Sequence, residues 1–231
     1  MANFEQVERV YFDNFARRKA LLTDLINWTA RRKRLVSIVI GMALLFAGLI
    51  YFSRPSLMTP SPLGEITLGN SDAPITIIEY SSTTCPHCAH FHTTTFPELQ
   101  TRYIDRGLVR YIFREYPLND LDLFAFMLSR CAGNDRALSF VDQLFKQQDK
   151  WVVDSPLSPL TEIGRQFGIT EGSLITCGNN KKIKNGVLWS RRHGTKFGAR
   201  STPTFFINGA KYSGDMSIER MEEIITKQLA K

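Results

Sequence analysis

Residues 75–88 read ITIIEYSSTTCPHC. Ile75 to Tyr80 has the bulky, β-branched composition of a buried strand, broken only by the acid Glu79. Four small hydroxylated residues follow, and Pro86 then suits the first turn of a helix. A strand therefore hands over to a helix at Cys85, with Cys88 one turn further in. Two cysteines two residues apart serve as a redox couple or as half of a metal cage.

The junction favours the redox couple. A thiolate is the reactive form of cysteine, and the unpaired N–H groups and positive dipole end of a helix N-terminus stabilise an adjacent anion. Cys85, just before the first turn, is expected to be the exposed and anionic member, and Cys88 its partner. Stabilising that thiolate stabilises the dithiol relative to the disulfide, which makes the disulfide the stronger oxidant. His87 between the cysteines can donate to the sulfur and adds positive charge when protonated. The rival is zinc, because His87, His90 and His92 all fall within eight residues of Cys85. No second CxxC accompanies them, so His90 and His92 are read as helix-surface residues and no metal is expected.

Working outward, Ile66–Leu68 reads as a short strand, and the helix after the cysteines runs to about Tyr103 with a kink at Pro97. Leu108–Phe113 is the next strand. From Asn119 to about Asn180 helical spacing dominates, as in Leu121, Phe124 and Leu128. A further helix covers Lys181 to about His193, and Pro203–Ile207 is a strand. Asn208-Gly209 signals a hairpin into Lys211–Ser213. Ile218, Met221, Ile225 and Leu229 close the chain on an amphipathic helix. Without the helical block the order is β, β, α, β, α, β, β, α, an α/β fold.

The 231 residues suffice for one sizeable core plus an appendage. The net charge of +7 suggests nucleic acid until it is mapped: residues 1–34 hold eight Lys and Arg against four acids, whereas residues 63–231 hold twenty against eighteen. The excess thus sits largely ahead of the core, and no nucleic-acid role is expected. Residues 35–52, LVSIVIGMALLFAGLIYF, carry no charge and nearly match a bilayer core of ~30 Å at ~1.5 Å per residue. Arg31, Arg32, Lys33 and Arg34 precede this stretch, so a single-pass anchor would place residues 1–34 in the cytoplasm and the rest outside it. A cleaved signal peptide is the competing reading. Residues 1–34 form a basic leader, with the spacing of an interfacial amphipathic helix or of an ordinary solvated one. Residues 53–64, with three prolines, read as a linker.

The run from Glu79 to Cys88, taken with STPTFFING at residues 201–209, resembles the DsbA family of thioredoxin-fold thiol:disulfide oxidoreductases. The likeness extends over residues 64–231. It implies a thioredoxin-like domain at 65–231 carrying a helical insertion at about 119–180, preceded here by the transmembrane helix. By resemblance, Cys85 is the attacked and attacking sulfur, Pro86 and His87 complete its motif, and Cys88 is the buried resolving cysteine. Pro203 is the cis-proline against the disulfide, Thr202 faces Cys85 at the edge that binds substrate, and Glu79 is the buried acid that relays a proton to Cys88. Some relatives have a second disulfide, so Cys131 and Cys177 are expected to pair, with free buried thiols as the alternative. The implied activity is donation of the Cys85–Cys88 disulfide to reduced exported proteins in the periplasm from an inner-membrane tether, with no cofactor. A DsbB-like quinone reductase would re-oxidise the pair. The same fold also supports reductases and isomerases, and a zinc-binding or non-catalytic substrate-binding module is the reading from another class.

Overall fold

The computed structural model describes residues 28, 32, 36, 39–46 and 56–230, in two compact units that meet in sequence between Ser56 and Leu57. In the first unit the described residues between 28 and 46 are helical, and the Arg32 guanidinium lies 5.2 Å from the centre of the Trp28 ring. Among the described residues no helix is long and apolar enough to cross a membrane. The expected anchor at 35–52 falls partly outside the described residues, and the expected leader at 1–34 lies outside them apart from Trp28 and Arg32.

The second unit is built on a five-stranded sheet of order β1-β3-β2-β4-β5, comprising β1 (Ile66–Leu68), β2 (Ile75–Ser81), β3 (Val109–Glu115), β4 (Thr204–Ile207) and β5 (Ala210–Ser213). Only β2 and β3 run parallel. As the central strand β2 is covered on both faces, which explains its unbroken apolar run. Ile75 and Ile77 point into one core layer with Val109, Tyr111 and Phe205, while Ile78 and Tyr80 point into the other with Ile112 and Phe206. Each fully buried isoleucine contributes about 1.5–3 kcal/mol. The period of two places Glu79 in the first layer, where an apolar residue would otherwise sit.

That layer is covered by α1 (Pro86–His90), π-helical Phe91–Thr95, α2 (Phe96–Leu99) and π-helical Gln100–Ile104. The sequence suggested one helix with a kink at Pro97. Instead the turn just before Pro97 widens, because proline offers no N–H to close a regular turn. The closing helix α9 (Ile218–Leu229), capped by Ser217, adds Met221 and Ile225 to the same core.

The helical block is α3 (Asp120–Cys131), α4 (Asn134–Lys146), α5 (Gln148–Trp151), α6 (Leu157–Gln166) and α7 (Glu171–Gly178), followed by α8 (Lys181–Lys196), which runs three residues beyond its expected end. It has its own core of Leu128, Phe140, Leu144, Trp151, Leu160 and Ile163. Cys131 on α3 and Cys177 on α7 are bonded, with Cα atoms 6.1 Å apart. Back at the sheet, α8 approaches β2 so closely that a Cβ on Gly194 would lie 2.6 Å from the Tyr80 ring. In the β4–β5 hairpin Asn208 and Gly209 both have positive φ, as a two-residue turn of this hand requires.

Residues 57–64, expected as linker, are bound to the domain. The buried Arg114 guanidinium donates to the carbonyls of Leu57 at 2.8 Å and Thr59 at 3.0 Å and pairs with Glu65 at 3.0 Å. Arg130 donates to Gly64 O at 3.0 Å, and Asn134 to Leu63 O at 2.6 Å.

Candidate active site

Strand β2 ends at Ser81, and the three residues before the first cysteine are held from the helical block. Asp122 on α3, fully buried, accepts from Ser82 Oγ at 2.6 Å and from Thr83 N–H at 2.8 Å and hydroxyl at 2.5 Å. Its carboxylate also takes the Leu118 N–H at 2.9 Å. Gln148 on α5 donates one amide group to two carbonyls, those of Thr83 at 2.8 Å and Cys85 at 3.1 Å. Nothing in the local sequence announces these contacts, since the partners lie 39 and 63 to 65 residues away.

Cys85 occupies the N-cap position with extended backbone angles, φ −86° and ψ 122°, and Pro86 opens the first turn. Its carbonyl accepts from Cys88 N–H and Ala89 N–H, both at 3.1 Å, so the helix is anchored on the cysteine itself. Cys85 is 8% exposed, less than the sequence implied, because Thr202 lies against it. The Thr202–Pro203 peptide is cis, and Cys85 Sγ donates to Thr202 O at 3.3 Å.

The two sulfurs are driven apart in acidity. The Cys85 thiol is lowered to about 5, first by a hydrogen bond from Cys88 and then, against the opposing effect of burial, by the Thr202 hydroxyl and the backbone N–H groups of Cys88 and His87. Cys88 is completely buried, and its thiol is pushed well above its ordinary value, first by burial, then by the bond it gives to Cys85 and by the charge of Glu79. One thiolate, on Cys85, is therefore the state the pair adopts when reduced. The His87 ring is exposed, and its main chain is what reaches the sulfur.

Glu79 lies beneath Cys88 in the buried layer, where it accepts from the Tyr111 hydroxyl. His92 Nε2 lies 3.3 Å and 3.2 Å from its two oxygens. His92 is thus no surface residue: it is 1% exposed, four residues after Cys88 on the inward side of the same helical segment. That spacing was the available signal, since residues four apart share a helix face. His90 does lie on the surface, paired with Asp215 at 2.5 Å. The two histidines therefore turn to different carboxylates and not to a common centre with the cysteines. The arrangement places a barely exposed sulfur at a helix N-terminus, a second sulfur fully buried one turn further in, and a buried acid in the same layer as the second. Cys131 and Cys177 belong to the helical block's core and take no part in it.

Residues 62–227 match a family model described as Thioredoxin. A protein of Rickettsia bellii described as a protein-disulfide oxidoreductase is 38% identical over 168 residues, covering 71% of this chain and 64% of the relative. The chain thus spans less than two thirds of that relative's length. Disulfide bond formation protein D of Bacillus subtilis is 26% identical over 178 residues, covering 74% of this chain and 79% of that protein. Among solved structures, Wolbachia pipientis alpha-DsbA1 matches with TM-score 0.69 and 32% identity over 75% of this chain and 94% of its own. Oxidised BdbD from Bacillus subtilis shares the fold, with TM-score 0.64.

Proposed function

This chain belongs to the thioredoxin family, among relatives of the DsbA type, and from that premise we propose that it is a thiol:disulfide oxidase that donates its Cys85–Cys88 disulfide to exported proteins. One observation carries the reading: the Cys85 thiolate is stabilised, while Cys88 is held as the neutral thiol. A stabilised thiolate favours the dithiol and leaves faster from a mixed disulfide, so the disulfide is a strong oxidant.

In the proposed cycle a substrate thiolate attacks Cys85 Sγ. A substrate–Cys85 bond forms, the Cys85–Cys88 bond breaks, and its electron pair goes to Cys88, which takes up a proton. A second substrate thiolate then attacks the substrate sulfur of the mixed disulfide and expels Cys85 as its stable thiolate. Two electrons have moved from the substrate dithiol to the pair. The Thr202 main chain, next to Cys85, is the edge along which an extended substrate segment would lie. Residues 35–52 would hold the domain on the periplasmic side of the inner membrane, with residues 1–34 in the cytoplasm, and a DsbB-like quinone reductase would re-oxidise the dithiol. The apolar composition of 35–52 and the cations before it support the tether.

The deciding experiment equilibrates the full chain with glutathione redox buffers and reads the Cys85–Cys88 couple. A potential near −120 mV, as a strong disulfide donor has, fits the oxidase, whereas one near −270 mV makes the protein a reductase.

A further inference from the structure

We propose that the outer face of α8 docks the domain on an anionic phospholipid surface. The proposal builds on the membrane tether inferred for residues 35–52, and it says which side of the domain meets the bilayer.

The near balance of charge over residues 63–231 conceals a separation along the chain. From residue 172 to residue 214 there are eight Lys and Arg and no acid, while the rest of 63–231 holds twelve cations against eighteen acids. Six of the eight, Lys181, Lys182, Lys184, Arg191, Arg192 and Lys196, lie on α8, and Arg200 and Lys211 follow it. All eight are exposed, and among the described residues none of them pairs with a carboxylate. Like charges crowded on one helix repel, and an anionic counterpart relieves the repulsion.

The helix sorts its residues by face. Val187, Ser190, His193 and Gly194 are buried on the inner half. At 3.6 residues per turn the cations take the opposite half, with Leu188 near its midline and Trp189 to one side, both half-buried. Leu188, Arg191, Arg192 and Thr195 line an open depression of about 410 Å³. Two guanidinium groups beside an aliphatic side chain suit a phosphate headgroup and the hydrocarbon beneath it. Tryptophan and leucine among cations on one helix face make up the composition of an interfacial helix.

The path of the chain favours a bilayer over an acidic protein. The chain enters the domain along this helix: Leu57 packs on the cluster that includes Ala199, just past α8, and Leu63 fills the space that a Cβ on Gly186 would need. Only residues 53–56 stand between Leu57 and the uncharged stretch 35–52, a span of at most ~18 Å. A bilayer that held residues 35–52 would thus lie within reach of the cations, each of which strengthens binding to anionic lipid about fivefold. The basic run continues to Arg200, two residues before the Thr202 carbonyl that meets Cys85, so docking would keep the cysteine pair at the membrane surface.

The test places the full chain in nanodiscs of phosphatidylcholine, alone or mixed with phosphatidylglycerol, with brominated acyl chains. Quenching of Trp189 is read as the difference between wild type and Trp189→Phe. Docking predicts strong quenching in the anionic discs only, lost in high salt, which screens exposed charge. Arg191→Gln combined with Arg192→Gln should lower the docked-to-free ratio about thirtyfold and leave dithiothreitol reduction of the cysteine pair in detergent unchanged. Equal quenching in the two lipids, or anionic quenching that survives the double variant, would overturn the proposal. So would a face that ignores lipid but binds polyglutamate through the same arginines, the mark of an acidic protein partner. Failure of the chain to insert into either kind of disc would remove the tether instead. The cations should then still carry the chain down with phosphatidylglycerol vesicles, and the absence of that binding would overturn the docking as well.

Discussion

A single carboxylate oxygen of Asp122 takes both hydrogen bonds that Thr83 can offer, N–H at 2.8 Å and hydroxyl at 2.5 Å. The helical block thereby fixes the loop that leads into the cysteine pair, two residues before Cys85. Asp122→Ala would strand the N–H and hydroxyl of Thr83 and leave the Ser82 hydroxyl without its carboxylate in a buried place. The expected loss is about 2–4 kcal/mol from several unmet donors, read by urea unfolding, with exchange slowed even in buffer that keeps the protein folded. An unaltered exchange rate would show that the loop holds its shape without Asp122.

Cys85→Ser should abolish exchange, and Cys88→Ser should leave the Cys85–substrate adduct unresolved and therefore isolable on a non-reducing gel. Activity surviving in Cys85→Ser would reassign the nucleophile.

The Cys85 thiolate makes reduced stability depend on pH. Its folded value, about 5, lies below the ordinary 9.0. The contribution is therefore fully present above about 9 and is lost as pH falls through 5, with stability rising by up to ~1.4 kcal/mol per pH unit in between. Cys88 has the opposite sign, its contribution being present below 9 and lost only in alkali. Between pH 5 and 9 the reduced protein should gain stability over the disulfide form as pH rises, which paired thermal melts of the two forms will report. A pH-independent gap between the melts would remove the thiolate argument.

Thr202→Val removes the hydroxyl that donates to Cys85 but keeps the shape of the side chain. Thiolate absorbance should then titrate above about 5 and the couple should become less oxidising. His87→Ala probes the imidazole: a raised midpoint would assign it charge stabilisation, whereas an unchanged one would leave the main-chain N–H groups as that residue's whole contribution.

The Cys131–Cys177 bond closes a separation of 46 residues. Replacing both by alanine should cost about 4 kcal/mol on the chain-entropy account. Peptide mapping after alkylation of free thiols should recover the two linked, under reductant mild enough to open only Cys85–Cys88.

The sequence made much of this visible where the signal is local. ITIIEY read as a buried strand, and Pro86 after four small polar residues marked the helix start. Asn208-Gly209 specified its turn. Cys88 followed from its spacing, and Glu79, Thr202 and Pro203 from family likeness; Thr202 and the cis Pro203 lie at Cys85, while Glu79 acts on Cys88. The misreading of His92 came from treating polar residues near a helix start as solvated, although its spacing from Cys88 placed it on the inner face. Asp122 and Gln148 were invisible for a different reason: each acts across dozens of residues, and a buried acid on an amphipathic helix looks from sequence like one more exposed charge. Residues 57–64 misled in the same way, since they read as free linker while their carbonyls are held by the distant Arg114 and Arg130.

Thr202 presents Cys85 with two faces, a carbonyl that accepts from the thiol at 3.3 Å and a hydroxyl that donates to the thiolate. The sulfur therefore finds a matched neighbour in either protonation state without any group having to move. In electron-transfer language, the reorganisation energy on the nucleophile's side is small. The cost of changing charge is concentrated on the inner sulfur, Cys88, which burial holds as the neutral thiol.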